Sequence, residues 1–187
     1  MLNILIIVGS TRPNRKSKSV ADWVNQNVKD TDGMSFTVVD LTEVNLPFLD
    51  EPMPPMMGKY KNEHTKEWSK IINAADGYII VTPEYNHSIP AVLKNALDFL
   101  YGEWNRKPVA FVSYGVVNGV RAVEHLKQIV VQLNMAPLNS QVNFSVFQHW
   151  DEKGEFKPDD RSKESLNKLT ADLLWWGDAL KTARQKS

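Results

Sequence analysis

Cysteine is absent from the 187 residues, which excludes disulfides, a thiol nucleophile and cysteinyl metal sites. Charge of one sign is not in excess, since 22 Lys+Arg stand against 22 Asp+Glu. No net basic surface therefore argues for a nucleic acid or an anionic membrane as partner. No apolar run approaches the roughly 20 residues that cross a bilayer. Met1-Leu2-Asn3 also lacks the basic start of a secretion signal, so a cytoplasmic protein is expected. There is no Pro/Gly/Ser-rich linker, repeat or low-complexity tract, and residues 1–187 are expected to form a single domain.

The usual catalytic sets are missing as well. His64, His87, His125 and His149 show neither H-x-x-x-H nor H-E-x-x-H spacing, so no metal site is expected. Ser88 follows His87, but no G-x-S-x-G elbow exists, and adjacent side chains rarely align as nucleophile and base. Asp50-Glu51, Asp151-Glu152 and Asp159-Asp160 are neighbours in polar stretches, where like charges face water. Neither G-x-x-x-x-G-K-[ST] nor G-x-G-x-x-G follows the first apolar run, which argues against a nucleoside-triphosphatase or a standard dinucleotide-binding half. A crevice without acid, base, nucleophile or metal is expected where a cofactor carries the chemistry.

What is present is alternation. Leu2 to Val8 and Tyr78 to Val81 are unbroken apolar runs, the pattern of strands buried on both faces. Phe36 to Leu41 is shorter and more alternating, as expected nearer a sheet edge. Pro108 to Tyr114 and Pro137 to Val146 complete five strands. Between and after them, Val20/Ala21/Val24/Val28, Trp68/Ile71/Ile72, Leu93/Ala96/Leu97, Val123/Leu126/Val130 and Leu166/Leu169/Leu173/Trp176 recur at helical spacing. Ser88 and Pro90 are placed to cap and open the helix that follows the central strand. Strand and helix in turn predict a three-layer α/β sandwich around a parallel sheet. If its order is 2-1-3-4-5, the loops after the first, third and fourth strands meet at one crevice.

Those loops carry the polar sequence. Gly9-Ser10-Thr11-Arg12-Pro13-Asn14-Arg15-Lys16-Ser17 opens onto a helix N-terminus, where three hydroxyls and the cations Arg12, Arg15 and Lys16 make an anion cradle. With no lysine over a γ-phosphate and no metal ligands, a monophosphate such as that of FMN suits it. Plain capping accounts for the Ser and Thr residues equally well. The Pro- and Met-rich stretch Leu46 to Gly58 reads either as a spacer or as a flap over a flat ligand or partner.

Gly9-Ser10-Thr11-Arg12, Thr82-Pro83-Glu84-Tyr85-Asn86-His87-Ser88-Ile89-Pro90 with Leu93-Lys94-Asn95-Ala96-Leu97-Asp98, and Ser113-Tyr114-Gly115 with Gly119 and Arg121 resemble the NAD(P)H-dependent FMN reductase family of flavodoxin-like proteins. The resemblance runs from Asn3 to about Leu133. It implies that Ser10, Arg12 and Ser17 hold the FMN phosphate, with Arg15 in the same cationic loop. It also implies that Pro83, Glu84, Tyr85 and Asn86 lie along the isoalloxazine ring, and that Ser113, Tyr114 and Gly115 close its other side. A hydride would pass from NADPH or NADH by way of bound FMN to flavin, quinone, azo or similar small-molecule acceptors in two steps, within a homodimer or homotetramer. Asn14 and Val116 stand where relatives commonly have glycine. A flavin-binding electron carrier or redox-sensing module without nicotinamide turnover is the alternative.

Overall fold

The computed structural model describes residues 1–186. Five strands, β1 (Leu2–Val8), β2 (Met34–Asp40), β3 (Gly77–Pro83), β4 (Pro108–Gly115) and β5 (Ala136–Ser145), form one sheet in the order β2-β1-β3-β4-β5. Every neighbouring pair is parallel. Six helices accompany them: α1 (Ser17–Val28), α2 (Leu41–Val44), α3 (Glu63–Asn73), α4 (Ala91–Asp98), α5 (Val120–Gln132) and α6 (Asp160–Gln185).

Side chains alternate across each strand, and the two faces feed separate cores. Leu5 and Ile7 of β1 join Trp68 and Ile72 of α3, Leu93 and Leu97 of α4, and Leu126 and Val130 of α5. Ile4, Ile6 and Val8 join Val20 and Val24 of α1 with Leu166, Leu169 and Leu173 of α6. A fully buried Leu or Ile contributes about 1.5–3 kcal/mol, so the unbroken apolar runs of β1, β3 and β4 anchor the molecule at its centre. The edge strand β2 alternates, as its sequence predicts, with Ser35 and Thr37 exposed.

Three local expectations are corrected. Leu41 does not end β2; Asp40 accepts from Thr42 N–H at 3.0 Å and starts the single turn α2. Ser88 does not cap α4, because Pro90 occupies the N-cap position without a side-chain cap; the Ser88 hydroxyl is instead 3.0 Å from His125 Nδ1. Trp176 is 42% exposed although its spacing puts it on the buried stripe. The stripe passes through Gly177, which lies so close to Leu2 that a Cβ there would sit 2.4 Å from Leu2 Cδ1.

At the opposite end of the sheet from the loops described below, Lys107 is almost fully buried. Its Nζ donates to the carbonyls of Ile72 (3.0 Å) and Asn73 (3.2 Å), which end α3. Burial pushes this ammonium down to about 8 from an ordinary 10.5. Between those two values the unfolded chain holds a proton that the folded chain has released, so stability rises with pH. We expect a gain of about 2 kcal/mol from pH 8 to 10, followed by urea denaturation, and no such slope in Lys107→Met. Burial raises the phenols of Tyr78 and Tyr114, which reverses the sign above about pH 10 and closes the window there.

Candidate active site

The carboxyl ends of β1, β3 and β4 deliver three loops to one place. Gly9 ends β1 where its N–H donates to the Val81 carbonyl at 2.8 Å. A Cβ at Gly9 would lie 2.8 Å from that same oxygen, so only glycine lets the two strands stay this close at the rim. The chain then turns through Asn14, whose φ is +55°, a conformation asparagine tolerates better than most residues. Helix α1 begins at Ser17 with no side-chain cap and no acidic residue in its first turn. Its leading N–H groups thus face the loop without a carboxylate opposite them.

Two buried polar atoms beside this helix end have no hydrogen-bond partner of normal geometry, Ser17 Oγ, which faces the Tyr114 phenol, and Arg15 Nε. Arg15 is fixed at its far end, where Nη2 meets Asp40 Oδ2 at 2.5 Å. Lys16 also lines the crevice, its Nζ lying 4.7 Å from the centroid of the Trp150 ring. Ser10 is fully buried, and its hydroxyl is 2.9 Å from the Tyr85 hydroxyl, a link between the first and second loops.

The second loop leaves β3 with Glu84 N–H donating to the Tyr114 carbonyl at 3.1 Å. Tyr85 and Ser88 then exchange both backbone bonds, at 2.9 and 3.1 Å, around Asn86 (φ +49°) and His87 (φ +76°), the signature of a type I′ turn. Arg121 of α5 donates through Nε to Glu84 Oε1 at 2.6 Å. Glu84 Oε2 is buried and unpartnered. The third loop is braced from behind: Ser113 Oγ donates to the Asn118 carbonyl at 2.7 Å and accepts from Asn143 Nδ2 at 2.7 Å. Gly119 closes the loop at φ +73°. Val146, just past β5, donates its N–H to the Gly115 carbonyl at 3.1 Å. Burial pushes the Tyr114 phenol up to about 12, keeping it neutral, and its ring leans on Trp150 at 5.7 Å.

Together these loops bound a crevice of about 370 Å³. Of the residues expected there from sequence, Arg12, Arg15, Pro83, Glu84, Tyr85, Tyr114 and Gly115 line it. Ser10 and Ser17 lie buried beneath the first loop, Asn86 stands exposed at the tip of its turn, and the Ser113 side chain points into the framework. Val116 and Val146 also line the crevice. Val146 follows a stretch that carries no motif, and the Arg15–Asp40 and Arg121–Glu84 pairs join residues 25 and 37 apart in sequence. The groove between α4 and α5 is larger, about 500 Å³, but this crevice gathers the ends of β3 and β4 with the loop after β1, where open α/β sheets bind ligands.

A parallel sheet in this order, covered on both faces, is the flavodoxin-like fold. FerB from Paracoccus denitrificans, a flavoenzyme NAD(P)H:(acceptor) oxidoreductase, shares it with a TM-score of 0.72 over 96% of this chain and 98% of that one, at 20% identity. A family profile for NADPH-dependent FMN reductase matches residues 2–149, and the chain belongs to that family of oxidoreductases. An NAD(P)H-dependent FMN reductase of Schizosaccharomyces pombe is 46% identical over 134 residues, 71% of this chain and 67% of that protein. A Saccharomyces cerevisiae NAD(P)H-dependent FMN reductase is 35% identical over 145 residues, 72% and 76% of the two chains. A quinone reductase of Escherichia coli K12 is 46% identical over 74 residues, 36% and 39% of the two. The family uses FMN with NAD(P)H. No described helix is long and apolar enough to cross a membrane.

Proposed function

We propose that this chain binds FMN in the crevice between its three loops and uses NAD(P)H to reduce quinones, flavins, azo compounds or similar acceptors in a two-step exchange. The observation that carries the reading is the pair of orphaned buried atoms, Ser17 Oγ and Arg15 Nε, beside an uncapped helix N-terminus. A buried donor without an acceptor costs about 1–3 kcal/mol, and a phosphate oxygen would satisfy these donors together with the α1 N–H groups. The fit extends to the ring: Pro83, Tyr85, Gly115, Val116 and Val146 give flat or apolar walls, suited to an isoalloxazine.

Bound FMN would supply the redox chemistry, accepting a hydride from the nicotinamide and passing two electrons to the acceptor. The chain's part is placement and polarity. Main-chain edges at Pro83 to Tyr85 and at Gly115 would orient the ring, and fixed N–H donors would favour the negative charge that reduction builds. Val116 and Val146 would keep water from one wall. Arg121, 44% exposed beside Glu84 at the crevice rim, favours an anionic dinucleotide as donor over the acidic partner surface that an electron carrier would present. Exposed Phe48, Met56 and Met57 in the Pro- and Met-rich stretch support self-association into a homodimer or homotetramer.

Steady-state initial rates with NADPH and a quinone varied together test the exchange. Parallel double-reciprocal lines are expected, and intersecting lines would remove the shared-site scheme. The phosphate position has its own check in Arg12→Ala. FMN affinity is expected to drop about tenfold, the worth of one charge-assisted hydrogen bond, with riboflavin little changed. Equal losses for both ligands would show the phosphate to be misplaced.

A further inference from the structure

At His87 residue type and backbone disagree. It is the second central residue of the 85–88 turn at φ +76°, a position glycine fills freely and histidine fills under strain. Packing does not demand an imidazole there, because His87 is exposed. What the strained conformation provides is a neighbour, His125, with ring centroids 5.7 Å apart. His125 and Arg121 are four residues apart on α5 and share one face. Both reach the turn: His125 Nδ1 lies 3.0 Å from Ser88 Oγ, and Arg121 Nε lies 2.6 Å from Glu84 Oε1. The hydrogen bond shared by Ser88 Oγ and His125 Nδ1 holds this imidazole beside the turn. Arg121 directs Nε and one terminal nitrogen at a single Glu84 oxygen and stays 44% exposed, so further N–H groups are free to bind.

These three side chains form a ridge running from the crevice rim at Glu84 toward the groove between α4 and α5. Other charges along that face are already paired, Lys94 with Asp98 at 2.7 Å and Lys127 with Glu124 at 3.0 Å. On the other side of the crevice Arg15 is held by Asp40 and Lys16 by Trp150.

We propose that His87, Arg121 and His125 bind the 2′-phosphate of NADPH and set the preference for NADPH over NADH. The inference rests on the reductase reading above, since it needs a nicotinamide at the crevice. A phosphomonoester is a compact dianion with three acceptor oxygens, and a guanidinium with two neighbouring imidazoles offers several N–H donors to it. NADH presents only hydroxyls at that point.

The test uses the FMN-loaded wild type with His87→Ala, His125→Ala and His87→Gly. FMN affinity, melting temperature, kcat/KM with each nucleotide, and inhibition by 2′,5′-ADP and by 5′-ADP are measured for all four. The NADPH/NADH ratio of kcat/KM is expected to fall about tenfold in each variant, with inhibition by 2′,5′-ADP weakened in step and inhibition by 5′-ADP little changed. His87→Gly separates this role from a structural one, because its melting temperature should rise while its NADPH preference falls. A ratio unchanged within about twofold in variants that still bind FMN would overturn the proposal. So would variants whose only change is a shift in size on gel filtration, which would make the ridge a contact between copies. If the wild type takes up no FMN while binding 2′,5′-ADP through His87 and His125, the reductase reading fails and the phosphate site stands.

Discussion

Gly119→Ala is expected to lower stability by about 3 kcal/mol, the sum of a left-handed alanine at roughly 1 and overpacking at roughly 2. A Cβ there would sit 2.9 Å from Ser113 Cβ and from both the nitrogen and the oxygen of Tyr114. Two of those three atoms are backbone of β4 and cannot swing aside as a flexible side-chain end would. The same carbonyl of Tyr114 receives the Glu84 N–H at 3.1 Å, so pushing it would shift the second loop as well as the third. FMN binding should therefore weaken along with stability. Gly58→Ala is the control, since Gly58 also has positive φ, +60°, but nothing lies within 4 Å of a Cβ there; only the conformational part, about 1 kcal/mol, should be lost. Chemical denaturation of the two variants side by side decides the matter, and equal losses would show that the contact with β4 is not what demands glycine.

Asp40→Ala should cost still more of the fold's order around the first loop, about 3–4 kcal/mol, because one carboxylate has two duties. It pairs with Arg15, at 5% and 18% side-chain exposure, and removing one partner of so buried a pair leaves a charge without compensation. It also caps α2 through Thr42 N–H at 3.0 Å, a duty worth about 1 kcal/mol. Asp40→Asn keeps the cap and removes the charge, so its loss should be smaller by about that 1 kcal/mol. Urea unfolding of both variants against the wild type measures the two parts. If the two lose equally, the capping bond contributes nothing.

Much of this architecture was legible in the residues. The apolar runs of Leu2–Val8 and Tyr78–Val81 read as strands buried on both faces, and the alternation around Val38 set β2 nearer an edge. Residues between β1 and α1, and those from Thr82 to Pro90, announced where the crevice would form because a buried strand that stops at polar, turn-forming sequence has one place to put it. Side-chain commitments were not legible. Ser10 spends its hydroxyl on Tyr85, Ser113 on Asn118, and Lys16 stacks on Trp150, partnerships between residues whose spacing carries no period. Val146 was invisible for the same reason: it reaches the crevice only because β5 lies beside β4 and its N–H finds Gly115. Trp176 misled because positions three and four beyond Leu173 both fit helical spacing, and the one that α6 buries is Gly177, pressed against Leu2.

That contact between Gly177 and Leu2 bears on how the polypeptide matures during synthesis. Strand β1 is sealed by α6, which emerges from the ribosome later than the whole sheet, and Lys181 adds a bond to the Met1 carbonyl at 3.0 Å. Until α6 has cleared the exit tunnel, part of β1's greasy flank stays open to chaperones or to neighbouring nascent chains. The described fold therefore closes by joining α6 back to β1 rather than by growing outward from its first strand.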